Sequence, residues 1–126
     1  MNIEGQIFIE MEQYDSAEMV FNKMGPGGIV GLGMTYLRSG RYNEGMEKIR
    51  ILEENLNSFN SVALSALYAE IDSLDKFFEY ANYEPAHAFH PWLRVSIKNP
   101  RVIADPRFKQ LMDKMNLPMP VLKELE

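Results

Sequence analysis

Three groups of residues in this 126-residue chain have types and spacings that invite chemistry. Glu84, His87 and His90 form a Glu-x-x-His-x-x-His run, a ligand set that holds zinc or nickel when all three side chains converge. Pro85 can open a helical turn there, but Pro91 closes it at once, and no second ligand cluster occurs elsewhere. A metal-binding role for Glu84/His87/His90 therefore stands only as an alternative to the main reading. The stretch from Gly25-Pro26-Gly27-Gly28 to Gly33 invites comparison with a phosphate-binding loop. That chemistry needs backbone N–H groups in a tight loop after a strand, usually backed by Lys-Ser/Thr. Here no lysine follows, no strand precedes, and Pro26 removes a donor, so a turn between helices fits better. Carboxylates are abundant at Glu44, Glu47, Glu53 and Glu54, on what reads as a solvated helix face. There is no cysteine, hence no thiol catalysis, thiolate metal site or disulfide. No serine or threonine stands in a nucleophile-elbow setting. The expectation is a chain that is not an enzyme, with no catalytic residue, no cofactor and no bound metal.

Composition is that of an ordinary globular domain, 46% apolar and 25% charged. No apolar run approaches a membrane span, and Glu4 and Glu10 interrupt the start. A cytoplasmic location without membrane contact is expected. Net charge is −5, which argues against a general nucleic-acid binder. The charge is uneven: residues 1–90 carry 6 Lys/Arg and 14 Asp/Glu, residues 91–126 carry 7 and 4. Arg94, Lys98, Arg101, Arg107, Lys109 and Lys114 read as a segment that docks on the acidic part, in preference to an anion or nucleic-acid patch.

Internal repetition sets the architecture that must position any site. One pattern recurs three times: an apolar helix ending near an aromatic, a break, and a second helix. From Phe8 to Ala17, Tyr36 to Gly45 and Tyr68 to Phe77 the interval is nine residues. Small residues (Gly33, Ala17, Gly45) let antiparallel helices approach, and Tyr14, Tyr36 and Tyr42 fill the space around them. Phe77 puts a ring where the other copies are small, which is expected to widen the third hairpin or rotate its second helix. Helices are expected near 2–11, 15–24, 28–38, 43–55, 59–70 and 73–83, with Gly25 and Gly40 as C-caps and Asp15, Asn43 and Ser58 as N-caps. Asp105-Pro106 signals a further start, and Phe108, Leu111, Met112 and Met115 give that helix one apolar face.

Ile29-x-x-Leu32-Gly33-x-x-Tyr36 and Ala17-x-x-x-Phe21 resemble the helix signatures of the tetratricopeptide repeat (TPR) family, over residues 1–84. Tyr14 to Tyr42 is 28 residues and Tyr42 to Leu74 is 32, against a family period of about 34; the shortened linkage falls at Met24–Gly28. The resemblance implies an all-α fold: antiparallel helical hairpins stacked as a short right-handed solenoid. One domain would span 1–117, with hairpins at 1–84, a capping segment at 91–117 and a tail at 118–126. Residues 91–118 are also similar to the C-terminal end of bacterial repeat proteins fused to regulators.

The resemblance further implies a protein–protein interaction scaffold that binds a peptide or partner domain in a concave groove lined by the first helix of each pair. The positions so implied are Asn2, Gln6, Ile9 and Glu10, then Val30, Met34, Leu37 and Arg38, then Phe59, Val62, Ala66 and Glu70. The alternative is a self-association module, in which the first helix and the apolar groove pair with a second copy as a homodimer.

Overall fold

The computed structural model describes residues 3–83 and 99–118, apart from the side chain of Ser58. Among these the chain is entirely helical, with no strand. The helices are α1 (Ile3–Glu10), α2 (Tyr14–Lys23), α3 (Ile29–Arg38), α4 (Tyr42–Glu54), α5 (Ser58–Glu70), α6 (Leu74–Ala81), α7 (Pro100–Ala104) and α8 (Pro106–Lys114), and a 3₁₀ turn (Gly25–Gly28) joins α2 to α3. No described helix is long and apolar enough to cross a membrane. The chain divides into two compact units, Met1–Asn55 and Leu56–Glu126.

Three connections share one backbone solution. The N–H of Gln13 donates to the Phe8 carbonyl (2.8 Å), that of Arg41 to Tyr36 (2.8 Å), and that of Ser73 to Tyr68 (2.9 Å). One residue earlier in each, the backbone is left-handed: Glu12 at φ 58°, Gly40 at φ 86°, Asp72 at φ 61°. Four residues after each donor the next helix is under way, with Ala17, Gly45 and Phe77 donating to Gln13, Arg41 and Ser73. This is the Schellman arrangement, which satisfies carbonyls that a helix end would otherwise orphan. It turns α1 into α2, α3 into α4 and α5 into α6 as helical hairpins. The nine-residue interval of the sequence is the length of this turn. α8 ends the same way, with Asn116 at φ 56° and the Leu117 N–H on the Met112 carbonyl (2.8 Å).

In the first unit α1 packs on α2, α2 on α3, and α3 on both α1 and α4. Its core holds Ile9, Ala17, Phe21, Leu32 and Tyr36, with Phe8, Tyr14, Met24 and Met34 against it. Phe21 is fully buried because three glycines give it room. A Cβ on Gly5 would lie 2.5 Å from its ring, and one on Gly31 2.2 Å from it. A Cβ on Gly28 would lie 2.0 Å from the Phe21 carbonyl oxygen. Gly28 and Gly31 are therefore packing residues that face Phe21. Gly45 takes the Leu37 side chain, whose Cδ2 lies 2.5 Å from where a Cβ would stand. Tyr42, expected inside, is 55% exposed: it is the first residue of α4, ahead of the buried row Gly45, Ile49, Leu52.

In the second unit every residue of α5 from Ser61 to Ala69 is buried, as an all-round apolar helix should be. Its two described serines are satisfied: Ser61 Oγ donates to the Tyr80 carbonyl (2.8 Å), tying the start of α5 to the end of α6, and Ser65 Oγ donates to Val62 (2.7 Å). Phe77 does not disturb the third turn, whose hydrogen bonds match the other two. Its ring is fully buried, edge-on to Phe78 (centroids 4.8 Å) and tilted against Phe108 of α8 (6.4 Å). The large residue of the third copy is thus the contact for the C-terminal helix. Asp105 caps α8 by accepting from the Arg107 N–H (2.9 Å), with Pro106 just inside, and Phe108, Leu111 and Met112 are buried. The other N-caps differ from expectation. Gln13 and Arg41 hold the cap positions, so Asp15 and Asn43 fall inside the first turn, and Asn57 in place of Ser58 caps α5 by accepting from Asn60 N–H (2.9 Å).

Candidate binding face

Of the residues expected on a groove, the structure brings together Gln6, Glu10, Val30, Met34 and Arg38 of the first unit. Gln6 and Glu10 are one turn apart on α1, and Val30, Met34 and Arg38 are each one turn apart on α3. The helices meet so that Arg38 Nη1 donates to Glu10 Oε1 (3.2 Å), while Gln6 Nε2 donates to the same oxygen (3.4 Å). These polar groups border the half-buried Val30 and Met34, and Met34 rests on the core. The face is a short polar row beside an aliphatic strip.

Other expected positions lie elsewhere. Ile9 is 1% exposed, with its side chain in the core between α1 and α2. Leu37 is half-buried and turned onto Gly45 of α4. On α5, Val62 and Ala66 are buried and have no free surface to offer, whereas Phe59 (44% exposed) and Glu70 are exposed. Helix rotation, set by packing, decides which of these side chains is outside. Asn2 and the Glu84/His87/His90 set lie outside the described residues. Among those described, no group of three His, Asp or Glu side chains could hold a metal ion.

Two charged clusters stand out, the first of them not legible in the sequence. Arg41 donates to Glu18 on α2 (2.6 Å) and to Glu44 on α4 (2.5 Å), and its guanidinium lies 4.4 Å over the Tyr36 ring. The Tyr36 hydroxyl donates to Glu18 (3.2 Å). Burial of that phenol and the neighbouring Glu18 carboxylate push its pKa above the usual tyrosine value, and the Arg41 hydrogen bonds hold Glu44 below the usual carboxylate range. In the second unit Arg107 lies 4.4 Å over Phe78, donates to Asp105 (2.9 Å) and reaches Asp75 of α6 (2.8 Å). Arg101 pairs with Asp72, and Asn99 Nδ2 donates both to Asp72 (3.0 Å) and to the Ala69 carbonyl (2.9 Å). The Arg107 hydrogen bonds depress the Asp105 pKa, and the Asn99 hydrogen bond depresses that of Asp72. The basic C-terminal residues Arg101 and Arg107 are thus spent on the acidic α5–α6 turn and on α6, as the docking expectation has it. Lys109 pairs with Asp113 within α8 (3.3 Å). Arg94 and Lys98 lie outside the described residues.

The first helix carries a further feature that the sequence pattern did not single out. Ile3, Ile7 and Met11 follow one another at single-turn spacing and are 78%, 51% and 58% exposed. The signal was present, since α1 has apolar residues on two faces (Ile9 and Phe8 inward, Ile3 and Ile7 outward). Compared with protein-family models, with curated proteins and with solved structures, the chain matches none.

Proposed function

We propose that this chain is a protein–protein interaction module of the tetratricopeptide-like kind, without catalytic activity of its own. Its hairpins would form the short right-handed solenoid implied by the repeat, closed by α8. The face shared by α1 and α3 would take an extended peptide or a helix from a partner protein. The observation that carries this reading is the recurrence of one hairpin turn at Glu12, Gly40 and Asp72. In repeats of helical hairpins the first helices line the surface that docks peptides, and α1 and α3 of the first unit keep partly exposed positions of that kind. Gln6, Glu10 and Arg38 would read polar groups of the peptide while Val30 and Met34 take an apolar side chain; methionine adapts well to such contacts.

The test is selection of a displayed peptide library on the full chain, followed by titration of the selected peptides into labelled protein by NMR. Amide shifts should cluster on Gln6, Glu10, Val30, Met34 and Arg38, and Arg38→Glu should weaken binding about tenfold, as losing a charge-assisted hydrogen bond does. Shifts centred anywhere else, or equal affinity for Arg38→Glu, would sink the assignment.

A further inference from the structure

The outward face of α1 combines two properties that together specify an occupant. It is apolar, with Ile3 and Ile7 of α1 and Met11, four residues on in the turn that follows the helix, all more than half exposed. That is the side opposite Gly5 and Ile9, which are buried. A continuous apolar ridge on a helix marks a contact surface, because scattered exposed aliphatics carry no such order. The stretch of chain that carries the ridge is also acidic. Between Ile3 and Asn22 the chain holds Glu4, Glu10, Glu12, Asp15 and Glu18 and no lysine or arginine. Glu10 and Glu18 are engaged by Arg38 and Arg41 from α3 and the α3–α4 turn, while Glu4, Glu12 and Asp15 are exposed.

We propose that this ridge is a second docking surface, distinct from the α1–α3 face, and that its occupant is a basic amphipathic helix of a partner protein. Such a helix would present an apolar stripe at i, i+4 and i+7 to Ile3, Ile7 and Met11, with lysine or arginine on its flanks to meet Glu4 and Glu12. Charge decides against a second copy of α1. Two such helices packed antiparallel set Glu4 and Glu12 of one beside the same carboxylates of the other, and like charges across an interface suppress pairing.

The test uses the full chain and three fluorescent helical peptides of equal length: a leucine stripe flanked by lysine, the same stripe flanked by glutamate, and a lysine peptide whose stripe is scrambled. Anisotropy titration at low salt should show the lysine-flanked stripe binding at least tenfold tighter than either control, with a preference that narrows as salt rises. Ile7→Lys, at an exposed position that leaves the melting temperature in place, should weaken that peptide at least tenfold. The double variant Glu4→Lys/Glu12→Lys should reverse the preference towards the glutamate-flanked stripe. Equal binding of the three peptides overturns the proposal, as does an unchanged affinity in Ile7→Lys. A concentration-dependent dimer in sedimentation that Ile7→Lys abolishes also overturns it, by making a second copy the occupant. Shifts at Ile3, Ile7 and Met11 separate this surface from the α1–α3 face, whose failure would leave them untouched.

Discussion

At the scale of single residues the first unit is organised by what surrounds Phe21. Gly5 and Gly31 meet its ring, which is a wall made of side chain, whereas Gly28 meets its carbonyl oxygen, which is backbone. The two kinds of wall yield differently. Gly31→Ala gains about 1 kcal/mol of helix propensity but forces overpacking that costs about 1–3 kcal/mol, so a net loss is expected. In a Phe21→Leu background the smaller side chain makes room, and the Gly31→Ala penalty should shrink or change sign. Gly28→Ala meets an oxygen that no side-chain truncation moves, so its penalty should be larger and should persist unchanged with Phe21→Leu. Urea unfolding of the three single and two double variants gives the two coupling energies directly. A large coupling for Gly28 and none for Gly31 would reverse the assignment of walls.

At the scale of elements, much was legible, and the misses on the groove share one cause. The nine-residue interval, the breaks and the Asp105-Pro106 start were all visible, because turns and caps are local and leave residue-type signatures. Gly40 announced its left-handed turn. Glu12 adopts the same backbone without a residue type that favours it, and Asp72 with one that favours it less than glycine, so the interval carried the signal. Ile9, Leu37, Val62 and Ala66 were expected on a groove, and what turned them inward or sideways is helix rotation, set by tertiary packing that no local pattern encodes. The turns give an element-scale prediction. A left-handed non-glycine residue costs roughly 1–2 kcal/mol, and glycine returns part of this through its own backbone entropy, so Glu12→Gly should stabilise by about 0.5–1 kcal/mol. Asp72→Gly has a smaller backbone gain, because aspartate tolerates the left-handed region better than glutamate, and forfeits the contacts to Asn99 and Arg101 that hold the start of α7, so it should stabilise less or not at all. Chemical unfolding of both variants checks the order, and equal stabilisation would mean that the Asp72 contacts contribute nothing. α8 offers the contrast between rings and charges. Phe108→Ala empties a fully buried site against Phe77 and should cost about 3–5 kcal/mol. Arg101→Ala removes an exposed ion pair and should cost under about 1 kcal/mol.

At the scale of the whole molecule the two units carry separable pH responses. Tyr36, in the first, has its folded pKa raised by burial and by Glu18. Below the ordinary tyrosine value of about 10 the phenol is neutral in both folded and unfolded chains, and its stabilising contribution is complete. As pH rises past that value the unfolded chain ionises first, the folded state holds more protons than the unfolded one, and stability falls until the folded pKa is passed. Tyr36→Phe should therefore flatten this alkaline fall while leaving the acid side unchanged. Asp105, in the second unit, is shifted the other way: hydrogen bonds from Arg107 depress its folded pKa. Its contribution is complete above the unfolded value of about 3.9 and is lost as pH drops through the folded pKa. Asp105→Asn keeps a competent N-cap but removes the charge. The variant should thus be less stable than wild type near neutrality, and the gap should close as acid protonates the native Asp105. Thermal unfolding from acid to alkaline pH reads both limbs in one series. A gap for Asp105→Asn that stays constant into strong acid would show that cap geometry, not ionisation, carries its effect, and an alkaline fall that survives in Tyr36→Phe would place its source in another group.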